Sequence, residues 1–205
     1  MKLLLIATTF LSVICLSHTA EKLKVAVYYE SVTSDHGDFF RQQLLRVYEE
    51  LEEYLDLDLV PFGKGTAKKH GDKWKFECEH GPKECEANAY HSCAVDIATT
   101  RQALKFAECA FIQFTPTSTS AMKWCGKRSG ITYASLDACR QKRGDELLAA
   151  NAEKSKNVGY QTVPAVAFNG KYDPMESDIA TKNLKKIICS KLKNVPPQCK
   201  QHGEH

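Results

Sequence analysis

The stretch Val25–Phe40, VAVYYESVTSDHGDFF, decides the fold. Leu23 to Tyr29 alternates and is rich in Val and Tyr, which reads as a β-strand. Polar residues from Ser31 to Asp38 interrupt it. From Phe40 onward, Leu44, Val47, Leu51 and Leu55 recur at helical spacing. Leu57, Leu59 and Val60 predict a second strand, which Pro61 and Gly63 stop. Strand, helix and strand within about forty residues is the size of one βαβ unit.

Outward from this unit, Gly63 to Gly81 is polar, lysine-rich and punctuated by glycine. The alternation from Lys73 to Cys78 predicts a hairpin around His70-Gly71. Helical periodicity runs from Cys93 to Phe111, with Ala94, Ile97, Leu104, Ala107 and Phe111 on one face, and returns over roughly Ser135 to Ala152. Ala165 to Phe168 is an apolar strand, Asn169-Gly170 signals a hairpin turn, and Lys171 to Pro174 would return. Asp178 is expected to cap a last helix through Leu192, with Ile179, Leu184, Ile187 and Ile188 inward and Pro196-Pro197 ending it. The order is βαβ, helical insertion, ββα. The fold class is therefore α/β, thioredoxin-like, with a cysteine-rich, mainly helical insertion.

The chain of 205 residues opens with Lys2, an apolar run from Leu3 to Leu16, and small or polar residues to Ala20. That layout predicts a secretory signal peptide over residues 1–20, cleaved after Thr19 or Ala20, and too short to span a membrane. Residues 21–205 read as a single domain, with thioredoxin-like halves at about 21–63 and 155–195 and an insertion at about 64–154. A secreted, extracellular protein is expected in preference to a lysosomal one, with no membrane insertion. No Asn-x-Ser/Thr sequon is present. The 28 basic and 25 acidic side chains give a net charge of +3, and no aromatic residues interleave with a basic stripe, so nucleic-acid binding is not expected. Of nine cysteines, Cys15 falls in the leader. The remaining eight, Cys78, Cys85, Cys93, Cys109, Cys125, Cys139, Cys189 and Cys199, predict four disulfides whose connectivity the sequence leaves open.

The most specific stretch is Cys78–Cys93, CEHGPKECEANAYHSC. Cysteine and histidine at these spacings raise a zinc site from Cys78, His80, Cys85, His91 and Cys93. A secreted protein oxidises such cysteines, however, and no Cys-x2-Cys knuckle occurs, so neither a metal nor a cofactor is expected. Structural roles remain: cysteines that staple the insertion, Gly81 in a tight turn, and His80, Glu84 and Asn88 holding the loop by hydrogen bonds. The pattern C-x-H-G-x2-E-C-x2-N-x4-C resembles the signature of the GILT family, the gamma-interferon-inducible lysosomal thiol reductases. Cys78, His80, Gly81, Glu84, Cys85, Asn88 and Cys93 carry the match, and Glu79 stands where glutamine is usual. The resemblance extends to VYYES (Val27–Ser31), VPAVAFNGKYD (Val163–Asp173) and the terminal cysteine pair. It looks closest to secreted insect members of the kind found in mosquito saliva.

The resemblance implies a cis Val163-Pro164 bond facing the Ser31–Asp38 turn, with the backbone of Val163 open to an extended peptide. It also implies two redox positions in that turn. Active members resemble YYESLCPxC or YYESLCPxS, where a thiolate at a helix N-terminus attacks a substrate disulfide. Here Thr33 takes the attacking position, Ser34 replaces the proline, Asp35 follows, and His36 takes the resolving position. A threonine hydroxyl does not form a reversible mixed disulfide. A Thr33–His36 hydrolytic pair lacks an identifiable orienting acid, beyond Asp35 and Asp38, or an oxyanion site. The plainer reading has Thr33, Ser34 or Asp35 capping the helix and His36 exposed in its first turn. The expected function is a secreted GILT-like protein without thiol reductase activity. It would bind an unidentified protein or cell-surface partner through the Thr33–His36 and Val163-Pro164 groove or the insertion surface. The alternatives are a thiol/disulfide oxidoreductase that reduces protein disulfides through an unconventional cysteine, and an extracellular structural factor. No Cys-x-x-Cys occurs, and the oligomeric state is open.

Overall fold

Strand β1 (Leu23–Tyr29) buries Leu23, Val25 and Val27 on one face, as its alternation requires. The computed structural model describes residues 21–113, 115 and 117–200, the side chains of Ser34 and Asp35 excepted. The predicted leader over residues 1–20 lies outside them. β1 runs parallel to β2 (Leu55–Pro61), with Leu23 opposite Leu55 and Tyr29 opposite Pro61. Its other edge pairs antiparallel with β5 (Ala165–Phe168), which pairs in turn with β6 (Lys171–Tyr172). Two short strands of the insertion, β3 (Thr66–His70) and β4 (Lys73–Glu77), form the predicted separate hairpin. The main sheet order β2-β1-β5-β6, with one parallel crossover and an antiparallel hairpin, is thioredoxin-like.

The crossover from β1 to β2 is one continuous helical run. It comprises α1 (Ser34–Asp38), a π-helical turn (Phe39–Leu44), α2 (Leu45–Leu51) and a 3-10 turn (Glu52–Tyr54). Phe40, Leu44, Val47 and Leu51 are buried with Leu55 against the sheet, as their spacing predicts.

The insertion is helical beyond its hairpin: α3 (Pro82–Ile97), α4 (Thr100–Phe111), α5 (Thr119–Ser129) and α6 (Tyr133–Ser155). The expected helix from Cys93 to Phe111 is thus two helices. Ala98 is extended, and Thr99 caps α4 through a capping box with Gln102. Ile97, expected inward, is 38% exposed at that break. Disulfides join Cys78 to Cys85, Cys93 to Cys139, Cys109 to Cys125 and Cys189 to Cys199. The middle two are buried with Phe106, Met122 and Leu136, so the insertion has its own sulfur-rich core.

The last helix also departs from expectation. Asp173, not Asp178, caps α7 (Pro174–Lys182), its carboxylate accepting from Glu176 N at 2.9 Å, with Pro174 opening the first turn. Asn183 ends α7 and caps α8 (Leu184–Lys191). Starting a turn earlier puts Ser177, Ala180 and Leu184 inward and leaves Ile179 40% exposed. α9 (Pro197–Lys200) brings Cys199 back to Cys189, with Pro197 opening this helix. No helix among the described residues is long and apolar enough to cross a membrane.

Candidate functional site

The site is the turn between β1 and α1, and three elements hold it. Parallel pairing continues past the strand ends, with Phe62 N donating to Tyr29 O at 3.0 Å. The next residue, Glu30, turns its carboxylate inward, where Oε1 accepts from Lys64 N at 3.0 Å. Gly63 makes room for it: φ is +67°, and a Cβ there would overlap the Glu30 side chain. Ser31 N donates to Asn88 Oδ1 at 3.0 Å, and the Asn88 amide donates to Phe62 O at 3.3 Å. Asn88, fully buried on α3, therefore sets the height of the turn over the sheet.

His36 is not the exposed residue the sequence suggests. It is 2% exposed, with its ring edge-on to Phe111 at the end of α4. Gly37 allows this approach, since a Cβ there would sit 3.0 Å from Phe111 Cβ. The ring bridges two backbone segments: Nδ1 lies 2.8 Å from Glu30 O, and Nε2 lies 2.9 Å from Val163 O. A carbonyl oxygen only accepts, so a ring that bonds both carries a proton on each nitrogen. In the neutral Nε2–H tautomer, Nδ1 accepts from Glu30 N at 3.3 Å instead. The Val163-Pro164 bond is cis, and its preceding carbonyl is engaged by His36 rather than left open to a peptide.

Thr33 is the N-cap of α1 by position, but its side chain makes no capping hydrogen bond. Its hydroxyl oxygen and that of Ser31 are both buried without a hydrogen-bond partner. Thr33 and His36 thus form no nucleophile–base pair. Ser34 and Asp35 open the helix, and any cap from their side chains lies outside the described residues.

The cysteine-rich loop stands beside the turn. Its five sequence-derived zinc candidates do not come together. Cys78 and Cys85 are joined to each other, Cys93 is joined to Cys139, and His91 is buried on β1, its Nδ1 3.2 Å from Tyr29 Oη. Burial pushes the His91 imidazole down to about 3, so it is neutral. His80 instead pairs with Glu84: Glu84 Oε2 accepts from His80 N at 2.8 Å and lies 2.5 Å from His80 Nδ1. Glu30 was not singled out from sequence. Burial raises its carboxyl above the usual range, the Lys64 N–H opposes that, and the Glu84 charge adds to it. A lone acid directly after an apolar strand was the available signal.

Comparison with known proteins supplies the lineage. Residues 24–129 match the family model described as gamma interferon inducible lysosomal thiol reductase (GILT). This chain belongs to the GILT family. It is 30% identical over 220 residues to GILT-like protein 1 of Drosophila melanogaster, covering 97% of this chain and 88% of that one. It is 28% identical over 193 residues to a gamma-interferon-inducible lysosomal thiol reductase-like protein of Anopheles gambiae, covering 87% and 80%. Among solved structures, a thioredoxin-like oxidoreductase from Silicibacter pomeroyi superposes with a TM-score of 0.53 at 9% identity, over 76% of this chain and 79% of that one. That likeness concerns the fold. Within the GILT framework, the signature residues His80, Glu84 and Asn88 serve as internal hydrogen-bonding groups beneath the turn, with the Cys78–Cys85 disulfide closing their loop.

Proposed function

We propose that this GILT-family protein is secreted, has no thiol reductase activity, and acts by binding a protein partner. One observation carries the reading: the turn that positions Thr33 and His36 holds no sulfur, and all eight described cysteines are consumed in disulfides. Thr33 and His36 stand at the attacking and resolving positions of the family's redox motif. Disulfide exchange requires a thiolate to attack a disulfide sulfur, and neither the Thr33 hydroxyl nor the His36 imidazole replaces it. Four disulfides, with the leader expected over residues 1–20, support an oxidising, extracytoplasmic setting. The binding surface is the edge formed by the Thr33–His36 turn and Val163-Pro164. Val163 O already accepts from His36 Nε2, so an extended peptide pairing there takes the oxygen's second lone pair or displaces the ring.

The test is reduction of insulin by the parent protein beside a Thr33→Cys, His36→Cys double variant. The parent is expected at the uncatalysed rate and the variant above it. Native-state alkylation of the parent, read by intact mass, is expected to label no thiol in the mature chain. Parental turnover that disappears on changing one particular cysteine would establish the oxidoreductase reading instead. Capture of a defined partner that is weakened by substitutions at Thr33 or Val163 would support the binding role. Binding that ignores both residues would move the partner to the insertion.

A further inference from the structure

We propose that Glu30, His80 and Glu84 form a binding site for one divalent transition-metal cation, for which zinc is the fitting ion. The three ligand atoms lie within 4.8 Å of one another, although Glu30 directly follows β1, His80 lies in the loop before α3 and Glu84 in the first turn of α3. Two carboxylates and an imidazole are a recognised donor set for zinc. Tetrahedral zinc, with bonds of about 2.0–2.1 Å, sets its ligand atoms roughly 3.3 Å apart. Here His80 Nδ1 is 2.5 Å from Glu84 Oε2 and 3.6 Å from Glu30 Oε2, with every ligand pair within 4.8 Å, so the ion has to part His80 from Glu84 as it enters.

Helix-start hydrogen bonding explains only part of this cluster. Glu84, reaching back to His80 N, has an ordinary role at the opening of α3. Glu30 has no such role. Its side chain is 3% exposed, and its Oε2 faces His80 at a distance too long for a hydrogen bond. Two buried carboxylates side by side are costly while both are ionised, and a bound cation relieves that cost where a proton otherwise would. The cluster's charged neighbours are Glu79 and Lys64, whose Nζ is 2.8 Å from Glu79. Lys64 is thus already committed. The ligands are also fixed from behind, by Lys64 N on Glu30, Asn88 Nδ2 on Glu84 and the Cys78–Cys85 disulfide across the loop. The His80 side chain, 48% exposed, gives the ion a way in and leaves a coordination position for water or Glu79.

His80 Nδ1 and Glu84 Oε2 face each other at 2.5 Å, so both ligand atoms already point to one place. Metal ligands bind in their deprotonated form, so protons compete with zinc and affinity falls as pH falls. The test is titration of the metal-free, disulfide-intact mature chain with zinc chloride, against a chromogenic chelator, at pH 7.5 and 5.5. One zinc per chain is expected at pH 7.5, with affinity at least about tenfold weaker at pH 5.5. The same loss of roughly tenfold or more is expected in both Glu30→Gln and His80→Ala at pH 7.5. His80→Ala, altering a half-exposed side chain, decides the matter should Glu30→Gln fail to fold. No saturable binding overturns the proposal. So does binding that survives both variants but is lost on His202→Ala, His205→Ala, which would place the ion on the C-terminal histidines.

Discussion

The Ser31–His36 turn and the Cys78–Cys93 stretch meet at Ser31 and Asn88, but they are built in opposite ways. Three of the turn's side chains hold little or nothing outside it: Ser31 and Thr33 bury hydroxyls that bond nothing, and His36 alone reaches across, to Val163. In the cysteine-rich stretch the buried polar side chains reach other segments, although His91 Nε2 is itself buried without a partner. Glu84 holds His80, Asn88 holds Ser31 and Phe62, His91 holds Tyr29, and Ser92 links Asn88 O to the Asn151 amide. The family signature is therefore the foundation on which the turn rests. A foundation of this kind fixes the backbone of a site whatever reactive groups the turn carries.

The contrast is most severely tested at the sulfur core of the insertion. Cys93–Cys139 closes a loop across 46 residues of sequence separation, and both ends are buried. Replacing both with alanine is expected to cost about 4 kcal/mol from loop-closure entropy, measured by urea denaturation. A loss well under half of that would mean the insertion is held by its helices rather than its disulfides. Asn88→Ala comes next. It strands the buried Ser31 N–H and Phe62 carbonyl, for an expected loss of about 2–3 kcal/mol. Exchange of the Ser31 amide should quicken along with it. Unchanged stability would remove the signature from its supporting role.

These pairings show what the sequence makes legible and what it does not. β1 and β5 occupy the residues expected of them, because alternation and a short apolar run bounded by Pro164 and Asn169-Gly170 are local signals. The expected hairpin at His70-Gly71 is present for the same reason. α5 shows no apolar periodicity in the sequence, because its inward face is made of small residues, Ala121, Cys125, Gly126 and Ser129, with only Met122 of any bulk. Gly126 is needed where the chain returns, since a Cβ there would run into Ile131 O. The burial of His36 depends on Val163, 127 residues away, and on Phe111 from the insertion. No spacing within the turn carries that information. The convergence of Glu30 with Glu84 is equally non-local.

A third prediction separates the two regions by pH. Burial and the nearby Glu84 raise the folded-state carboxyl of Glu30, so its protonated form is favoured by folding. Its contribution is fully present below the unfolded carboxylate pKa and is lost as pH rises through the raised folded value. Without added metal, Glu30→Gln should therefore match the parent near pH 4 and exceed it in stability at neutral pH, measured by thermal melts across the range. Greater parental stability at pH 7 without metal would mean that the Glu30 charge is already compensated, by His80.

The smallest effect is expected at Thr33, and its sign is the informative part. The Thr33 hydroxyl oxygen is buried and bonds nothing, so the folded protein bears its desolvation without return. Thr33→Val keeps the shape and removes the polar atom. It is expected to leave stability unchanged or raise it by up to about 1 kcal/mol, against the multi-kcal losses at Asn88 and the disulfide. The position would then be free, as far as folding is concerned, to take whatever residue a ligand demands. Measuring partner capture with the same variant completes the argument. A protein that folds as well or better but binds less would show that the unpaired hydroxyl finds its partner only in the complex. A protein that loses stability instead would place Thr33 among the supporting residues and dissolve the contrast between turn and foundation.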